Sequence, residues 1–269
     1  MRISARHITF LFAFILMAAS GLFYSCTKVI NINLNSASPL PAVQGNINNQ
    51  PGTYAVILSQ SVNFSDPNTF PPIPGALVTI NDNLGNIDTL KDSIPGNYTG
   101  HKLMGTPGRT YTLSISSNGK FYSAASTMPQ PIAIDSLTIQ NDAFSKKNKF
   151  VVIHFQSPQG AITYYHFVAT VNNVTQTPIF AFSDEYQLGN PINFELRSPN
   201  DSLKIKSGDT VMVQLQSTDQ NIFNYYTALF NAGGTGFDTA PANPPSNISN
   251  NALGYFSAYA VTSKTIIVP

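Results

Sequence analysis

The sequence predicts an all-β protein built from two antiparallel β-sandwich domains, with one short helix in its C-terminal part. Most of the chain consists of short runs in which apolar and polar residues alternate, separated by Gly, Pro and Asn. Such alternation is typical of strands with one buried face. The run Met128-Pro129-Gln130-Pro131 interrupts the pattern. Because proline removes a backbone donor and restrains the residue before it, this run favours a linker between domains.

The first 25 residues have the layout of an export signal. Arg2 and Arg6 make a basic start, Ile8 to Ala19 is almost continuously apolar, and small residues follow up to Gly21. We predict a lipoprotein signal peptide over residues 1–25, with a plain secretory signal or a single membrane span as alternatives. The apolar run is shorter than the roughly 20 residues that a span needs.

Cys26, the only cysteine, follows this signal directly. We predict that its thiol carries the diacylglyceryl group of a bacterial lipoprotein and that acyl chains such as palmitate anchor the protein in a membrane. Ser25 fits the position before such a cysteine, whereas Phe23 and Tyr24 are bulkier than usual. Each buried methylene contributes about 0.8 kcal/mol, so two or three acyl chains make a firm anchor. No thiol then remains for a disulfide or a thiolate metal site.

Residues 26–41 are predicted to form a tether and a first strand, and residues 42–130 the first sandwich. The clearest strand is Thr110–Ser116, in which every second residue is apolar. Asn118-Gly119 follows it and favours a type I′ turn, so the sequence predicts a hairpin with Phe121–Thr127. Two further strands and a turn are predicted at Tyr54–Leu58, Ala76–Ile80 and Asn81–Asn86.

Residues 131–269 are predicted to form the second sandwich. Asp219 can cap a helix over residues 220–231, in which Ile222, Tyr225 and Tyr226 recur at helical spacing. Because an apolar stripe usually faces a core, we expect this helix to cover one end of the sandwich; a partner-binding helix is the alternative. The strands are predicted at Ile134–Gln140, Lys149–Gln156, Ala161–Val171, Ile179–Ser183, Ile192–Leu196, Leu203–Lys206, Thr210–Ser217, Tyr255–Val261 and Thr265–Val268.

Composition and histidine placement argue against several kinds of ligand. Charged residues make up 10% of the chain and the net charge is +1, which does not supply the basic patch that nucleic-acid binding needs. His154 and His166 lie on consecutive predicted strands, and pairing of Gln156 with Ala161 would place the two imidazoles on opposite faces of a ribbon. Since zinc needs three or four converging ligands, we predict no metal and no other cofactor.

The sequence contains no arrangement typical of an active site, so we predict no catalytic residue and no enzymatic activity. No G-x-S-x-G nucleophile elbow occurs, and Ser117 and Lys120 match S-x-x-K only across the predicted hairpin turn. Glycoside hydrolysis needs two carboxylates that flank a sugar, and Asp184-Glu185 is the only adjacent acidic pair.

Two loops rich in Pro and Asn are the candidate contact surfaces. They run from Asn63 to Pro74 and from Asp238 to Asn251, and stiff loops lose less entropy on binding. The alternative is that their prolines only protect sheet edges. The candidate contacts to a partner or ligand are Asn63, Phe64, Asp66, Asn68, Phe70, Asn243, Asn247 and Tyr255.

Several sequence strings resemble a Bacteroidota outer-membrane lipoprotein family of unknown function, the domain-of-unknown-function 4249 type. The likeness covers essentially the whole chain after Cys26, and the strings are its most specific parts. They are Cys26-Thr27-Lys28-Val29-Ile30, the stretch from Leu58 to Pro72, Gly75 to Ile80, Pro107 to Leu113, Asn243 to Ile248, and Gly254-Tyr255-Phe256. The resemblance implies an outer-membrane lipoprotein encoded beside a TonB-dependent receptor. It also implies an immunoglobulin-like or prealbumin-like first domain. Lys28 departs from the acidic residues that often mark surface export, so either the periplasmic or the cell-surface face remains open.

Three functional hypotheses follow. The leading one is a lipid-anchored accessory protein that docks on a TonB-dependent receptor and helps it capture a glycan or peptide in nutrient uptake. The second is a glycan-binding surface module, because tyrosines such as Tyr164, Tyr225 and Tyr255 occur in adjacent aromatic pairs that put rings on both faces of their elements. The third is a hydrolase with an unconventional site.

Overall fold

The computed structural model describes residues 38–63, 66–67, 69–142, 149–197, 204–232 and 243–269. The predicted signal peptide, Cys26 and the tether up to residue 37 lie outside these ranges, as do Phe64 and Asn68.

Strands dominate the described chain, which confirms the all-β class, and the predicted helix is present. The elements are β1 (Pro41–Asn48), β2 (Tyr54–Gln60), β3 (Leu77–Asp82), β4 (Ile87–Ile94), β5 (Asn97–Gly100), β6 (Thr110–Ser117), β7 (Lys120–Thr127), β8 (Ile134–Asn141), β9 (Lys149–Gln156), β10 (Tyr164–Val171), β11 (Val174–Thr175), β12 (Phe180–Ser183), β13 (Pro191–Glu195), β14 (Thr210–Thr218), α1 (Gln220–Ala232) and β15 (Leu253–Ile267). Residues 204–206, the described part of the predicted strand Leu203–Lys206, are not in a strand.

These strands form a large and a small sheet. The large sheet has the order β11-β10-β14-β15-β1-β2-β5-β4-β3-β6-β7, with β12 also paired to β10, and the small sheet has the order β13-β9-β8. Strand β15 pairs in parallel with β1 and antiparallel with β14. The predicted antiparallel architecture therefore includes a parallel pair that the sequence did not indicate.

The first hydrophobic cluster lies inside the part of the large sheet that runs from β15 to β7. This part curls on itself, so that Ser126 Oγ in β7 accepts a hydrogen bond from the Ala258 backbone N in β15 at 2.9 Å. Alternation in β6 buries Leu113 at the centre of the cluster. The predicted hairpin after β6 is confirmed, because Asn118 and Gly119 have φ values of 51° and 72°.

The second hydrophobic cluster lies between the small sheet and the β10–β14 part of the large one. It is rich in aromatic rings that belong to facing strands. Phe155 in β9 lies 5.1 Å from Tyr165 in β10, and Phe167 lies 4.4 Å from Phe194 in β13, measured between ring centroids. These rings are mostly buried, and such pairs stabilise a core by about 0.5–1.5 kcal/mol beyond their buried area.

The predicted ribbon of β9 with β10 is wrong. Strand β9 pairs with β8 and β13, and β10 pairs with β14, so the two strands lie in different sheets that face each other. Asp184 holds both ends of the connection that crosses between the sheets. Its carboxylate accepts hydrogen bonds from Ser157 Oγ and from the Thr163 backbone N, each at 2.7 Å.

The two strands predicted near the C-terminus are one continuous strand, β15. The predicted break covered residues 262–264, where Thr, Ser and Lys interrupt the apolar pattern. In the structure, Lys264 Nζ donates to the Asp135 carbonyl at 2.6 Å and Thr262 Oγ1 donates to the Ile132 carbonyl at 2.6 Å. Strand β15 contributes to both clusters, and the domain limits 42–130 and 131–269 stay a prediction.

Helix α1 packs on the outer face of the large sheet. Asp219 caps it, since its Oδ1 accepts a hydrogen bond from the Ile222 backbone N at 3.1 Å. The Phe223 ring lies 5.2 Å from that of Tyr164 in β10. Among the described residues, no helix has the length and apolar character needed to cross a membrane.

Candidate functional site

A surface groove lies where helix α1 meets the β2–β3 loop and the loop before β15. Its volume is about 320 Å³, within the size range of ligand pockets. We call it the helix–loop groove. It is lined by Ala42, Val43, Gln44, Ile57, Ser59, Phe70, Tyr225, Leu229, Asn243, Pro244, Leu253 and Gly254. None of these residues is charged.

Strands β1 and β2 supply the floor of the groove. Alternate residues of each strand, such as Val43 in β1 and Leu58 in β2, point into the first hydrophobic cluster. The other residues of the two strands face outward. Gln44 lies opposite Ile57 on this outer face, and the Ile57 side chain is 43% exposed. The floor therefore combines an amide with an uncovered aliphatic side chain.

The β2–β3 loop places Phe70 at one wall of the groove. The Gln60 backbone N donates to the Pro71 carbonyl at 2.8 Å, and the Ile73 backbone N donates to the Leu58 carbonyl at 3.0 Å. These bonds hold the end of the loop along β2. Phe70 nevertheless stays 56% exposed, which is unusual for a large aromatic side chain.

Two other predicted contacts of this loop bond to each other. The backbone N and the side-chain Nδ2 of Asn63 both donate to Asp66 Oδ2 at 3.1 Å. Neither residue lines the groove.

The loop before β15 supplies the opposite wall. Asn243 lines the groove, whereas Asn247 is used to attach the loop to β15. Asn247 Nδ2 donates to the Phe256 carbonyl at 2.8 Å, and its Oδ1 accepts from the Phe256 backbone N at 3.0 Å. Because both ends of this amide are occupied, Asn247 fixes the loop on which Asn243 sits.

Three tyrosines form the helix side of the site. The Tyr225 ring lies 4.8 Å from Tyr255, and Tyr226 OH donates to Tyr255 OH at 3.0 Å. Tyr255 is only 6% exposed, so it lies beneath the helix while Tyr225 reaches the groove. Burial raises the pKa of Tyr225 and of Tyr226. Both phenols are therefore neutral at physiological pH.

A buried histidine supports this wall from the sheet side. His166 in β10 stacks on Tyr226, and its Nδ1 lies 2.9 Å from Gln216 Oε1 in β14. Burial lowers the pKa of His166 below its ordinary value, although the Gln216 hydrogen bond opposes this. The imidazole is therefore neutral at pH 7, and the helix is attached to the sheet without a charge.

A second cavity, with a volume of about 310 Å³, is charged and lies between β4 and the loop before β6. Arg109 NH1 donates to Asp82 Oδ2 at 2.8 Å, and Asn86 Nδ2 donates to the same oxygen at 2.8 Å. The Asp82 carboxylate is thus already bonded, both within its own turn and to Arg109. Within the described ranges, no three His, Cys, Asp or Glu side chains converge as metal ligands.

The structure brings together only part of the predicted contact set. Phe70 and Asn243 meet at the groove, and Tyr255 lies beneath its helix wall. Sequence reasoning missed Gln44 because β1 was not predicted as a strand. It also missed Ile57 as a site residue, although the predicted strand Tyr54–Leu58 contains it. The alternation of Val43, Gly45 and Ile47 with polar residues was the available signal.

Fold and site together define an all-β protein that carries a neutral surface groove beside a helix. The chain belongs to the family described as Domain of unknown function (DUF4249), which matches residues 27–265. This confirms the family resemblance. Among curated proteins, none matches the chain.

Two solved structures show weak likeness. A cytokine receptor complex has a TM-score of 0.26 and 9% sequence identity, with 83% of this chain and 94% of that chain covered. A candidate carbohydrate-binding protein from Bacteroides uniformis has a TM-score of 0.23 and 10% identity, with 84% and 98% covered. At these TM-scores the likenesses carry no argument.

Proposed function

We propose that this protein is a lipid-anchored outer-membrane accessory protein that binds a partner protein through the helix–loop groove. The proposed partner is a TonB-dependent receptor, and the proposed process is nutrient uptake. The observation that carries the proposal is the meeting of Phe70, Tyr225 and Asn243 around one uncharged groove. Phe70 is far in sequence from Tyr225 and Asn243, and the fold brings the three together.

The chemistry of the groove favours apolar side chains of a partner protein as its occupant. Ile57, Phe70 and Leu229 are large apolar residues that the described chain leaves uncovered beside one another. Clustered apolar exposure of this kind marks interaction sites. Aromatic anchors surrounded by neutral contacts are typical of interface centres.

The anchor rests on Cys26. The family match begins at residue 27, directly after this cysteine. We expect the wild-type chain to incorporate labelled palmitate and to sediment with outer membranes, and Cys26→Ala to do neither. A Cys26→Ala chain that is still labelled and membrane-bound would overturn the anchor.

The groove is tested by co-purification from outer membranes with the tagged full chain. The groove variant is Phe70→Ala with Leu229→Ala. The matched control is Leu84→Ala with Ile87→Ala, which removes two exposed apolar side chains outside the groove. Loss of an interface centre costs about 2 kcal/mol or more. The groove variant should therefore bind its receptor roughly 30-fold more weakly.

Three results count against the docking proposal. One is the absence of any TonB-dependent receptor among the proteins recovered with the wild-type chain. Another is an equal loss of partner in the control variant. The third is retention of wild-type affinity by the groove variant, which would move the interface away from Phe70.

A further inference from the structure

A row of uncharged polar side chains runs along the outer face of β1 and β15, beginning at the helix–loop groove. The parallel register places three residues of one strand opposite three of the other: Gln44, Asn46 and Asn48 opposite Tyr255, Ser257 and Tyr259. They share a face because successive residues of a strand alternate, and the residues between them belong to the first cluster or lie against it. We call these six residues the amide–hydroxyl strip.

The two outer pairs of the strip are hydrogen-bonded. Gln44 Nε2 donates to Tyr255 OH at 3.4 Å, and Asn48 Nδ2 donates to Tyr259 OH at 3.1 Å. These bonds hold the amides across the strand pair. They also confirm that the side chains of both strands point to the same face.

The side chains of the middle pair, Asn46 and Ser257, make no hydrogen bonds within the described residues. Ser257 is 2% exposed and its Oγ has no hydrogen-bond partner. Within the described residues, the Asn46 side chain also makes no hydrogen bond. A buried hydroxyl without a partner is unfavourable, because it has given up its bonds to water. Asn46 is partly exposed, so a ligand that offers donors and acceptors would bond its amide, whereas the Ser257 hydroxyl is buried beyond a ligand's reach.

Tyrosine rings flank these polar groups. Tyr225 and Tyr259 are both partly exposed, at the groove end and at the far end of the strip respectively. Burial raises the pKa of Tyr259, so its hydroxyl is neutral. Aromatic rings offer an apolar face and a polar tip, which suits the C–H face and the hydroxyls of a sugar ring.

We propose that the accessible members of the amide–hydroxyl strip, which are Gln44, Asn46, Asn48 and Tyr259, bind a neutral oligosaccharide. Amides both donate and accept hydrogen bonds, as sugar hydroxyls do. The strip carries no charge, whereas phosphate ligands need cations. From Gln44 to Asn48 it spans about 13 Å at the usual rise of a strand, which fits a short extended chain. The proposal goes beyond receptor docking and does not depend on it.

The test uses the full chain purified in a detergent without a sugar head group. The probes are cellohexaose, xylohexaose, mannohexaose and maltohexaose, with polygalacturonate as the charged comparison. The chain contains no Trp, so its 12 tyrosines together give the fluorescence signal of binding, and calorimetry gives the affinity. We expect saturable binding of at least one neutral hexasaccharide, with little dependence on salt.

Two variants test the assignment. Asn46→Leu keeps the side-chain size but removes both polar atoms, and Tyr259→Phe removes one hydroxyl. Asn46→Leu should weaken binding about tenfold, equivalent to about 1.4 kcal/mol, and Tyr259→Phe by a smaller factor. Tyr186→Phe is the control, because Tyr186 is 91% exposed and lies outside the strip. Since Asn46 has no partner to lose, Asn46→Leu should unfold at the wild-type urea concentration.

Several outcomes would overturn the strip as a sugar site. They are no binding of any neutral probe, equal or tighter binding of polygalacturonate, or unchanged affinity in Asn46→Leu. Loss of sugar binding in Tyr186→Phe would also do so. The Phe70→Ala, Leu229→Ala variant separates the two proposals. This variant should bind the receptor more weakly and bind the hexasaccharide as wild type does. The docking proposal and the sugar proposal are therefore tested separately.

Discussion

The His166 imidazole lies flat against the Tyr226 ring, with centroids 3.9 Å apart and planes 8° apart. On the sheet side the imidazole contacts Gln216, and on the helix side Tyr226 OH donates to Tyr255 OH. One chain of neutral contacts thus joins β14, β10, helix α1 and β15. The position of the groove wall depends on this stack.

We expect acid to weaken the fold through His166. Burial lowers its pKa below the ordinary value of 6.5, so the folded state binds fewer protons than the unfolded state. The associated stability is present above about pH 6.5 and is lost as the pH falls toward the folded-state pKa. Urea unfolding at pH 7 and 5.5 measures the loss. His166→Gln should lose less stability between these pH values than wild type, whereas His154→Gln should lose as much as wild type. Equal drops in both variants would contradict the prediction.

Asp184 should be the most sensitive carboxylate in the second cluster. It is fully buried and accepts hydrogen bonds from Ser157 Oγ, Thr163 N and Tyr165 OH, the last at 2.8 Å. Asp184→Ala leaves these donors unpaired and should lower the free energy of unfolding by at least about 3 kcal/mol. The control is Glu185, the exposed neighbour of Asp184. Glu185→Ala should change the free energy of unfolding by less than about 0.5 kcal/mol. Similar urea midpoints for both variants would refute the role of Asp184.

The local elements could be predicted from sequence because local patterns determine them. Alternation in Thr110–Ser116 and the Asn118-Gly119 turn need no information from the rest of the chain. The pairing of strands is different. Strand β9 is buried along almost its whole length, and a continuous apolar run does not show which sheet it joins. In the structure β9 and β10 face each other, and Asp184, which lies beyond both strands in sequence, bonds to both ends of their connection.

The site was predictable only as separate pieces. The composition of two loops pointed to Phe70 and Asn243, but nothing in sequence showed that they meet beside Tyr225. The amide–hydroxyl strip depends on the parallel pairing of β1 with β15, which joins residues more than 200 positions apart, such as Gln44 and Tyr255. Long-range registers of this kind leave no local signal.

A second acid-sensitive group lies in the first cluster. Burial alone would raise the pKa of Asp88, but hydrogen bonds from Tyr54 OH and from the backbone N of His101 and Lys102 outweigh it and lower the pKa. This stability is present above about pH 4 and is lost as the pH falls through the folded-state pKa. Asp88→Asn should cost about 1–3 kcal/mol at pH 7 and should show a smaller loss between pH 4 and 2.5. Urea titrations at these pH values test this prediction. If Asp88→Asn loses as much stability in acid as wild type, Asp88 is not the group responsible.

Gly254 should tolerate no side chain, because it lies where β15 meets β1 at the groove. Its φ is +92°, and a Cβ there would overlap the Val43 carbonyl oxygen. Gly119 is the matched control, since its φ is +72° but a Cβ there would meet nothing within 4 Å. Gly119→Ala should cost about 1–2 kcal/mol from backbone strain alone. Gly254→Ala should cost at least about 3 kcal/mol, since β15 must also move away from β1. Urea unfolding gives both values. Equal costs would mean that the contact with Val43 does not constrain the parallel pair on which groove and strip are built.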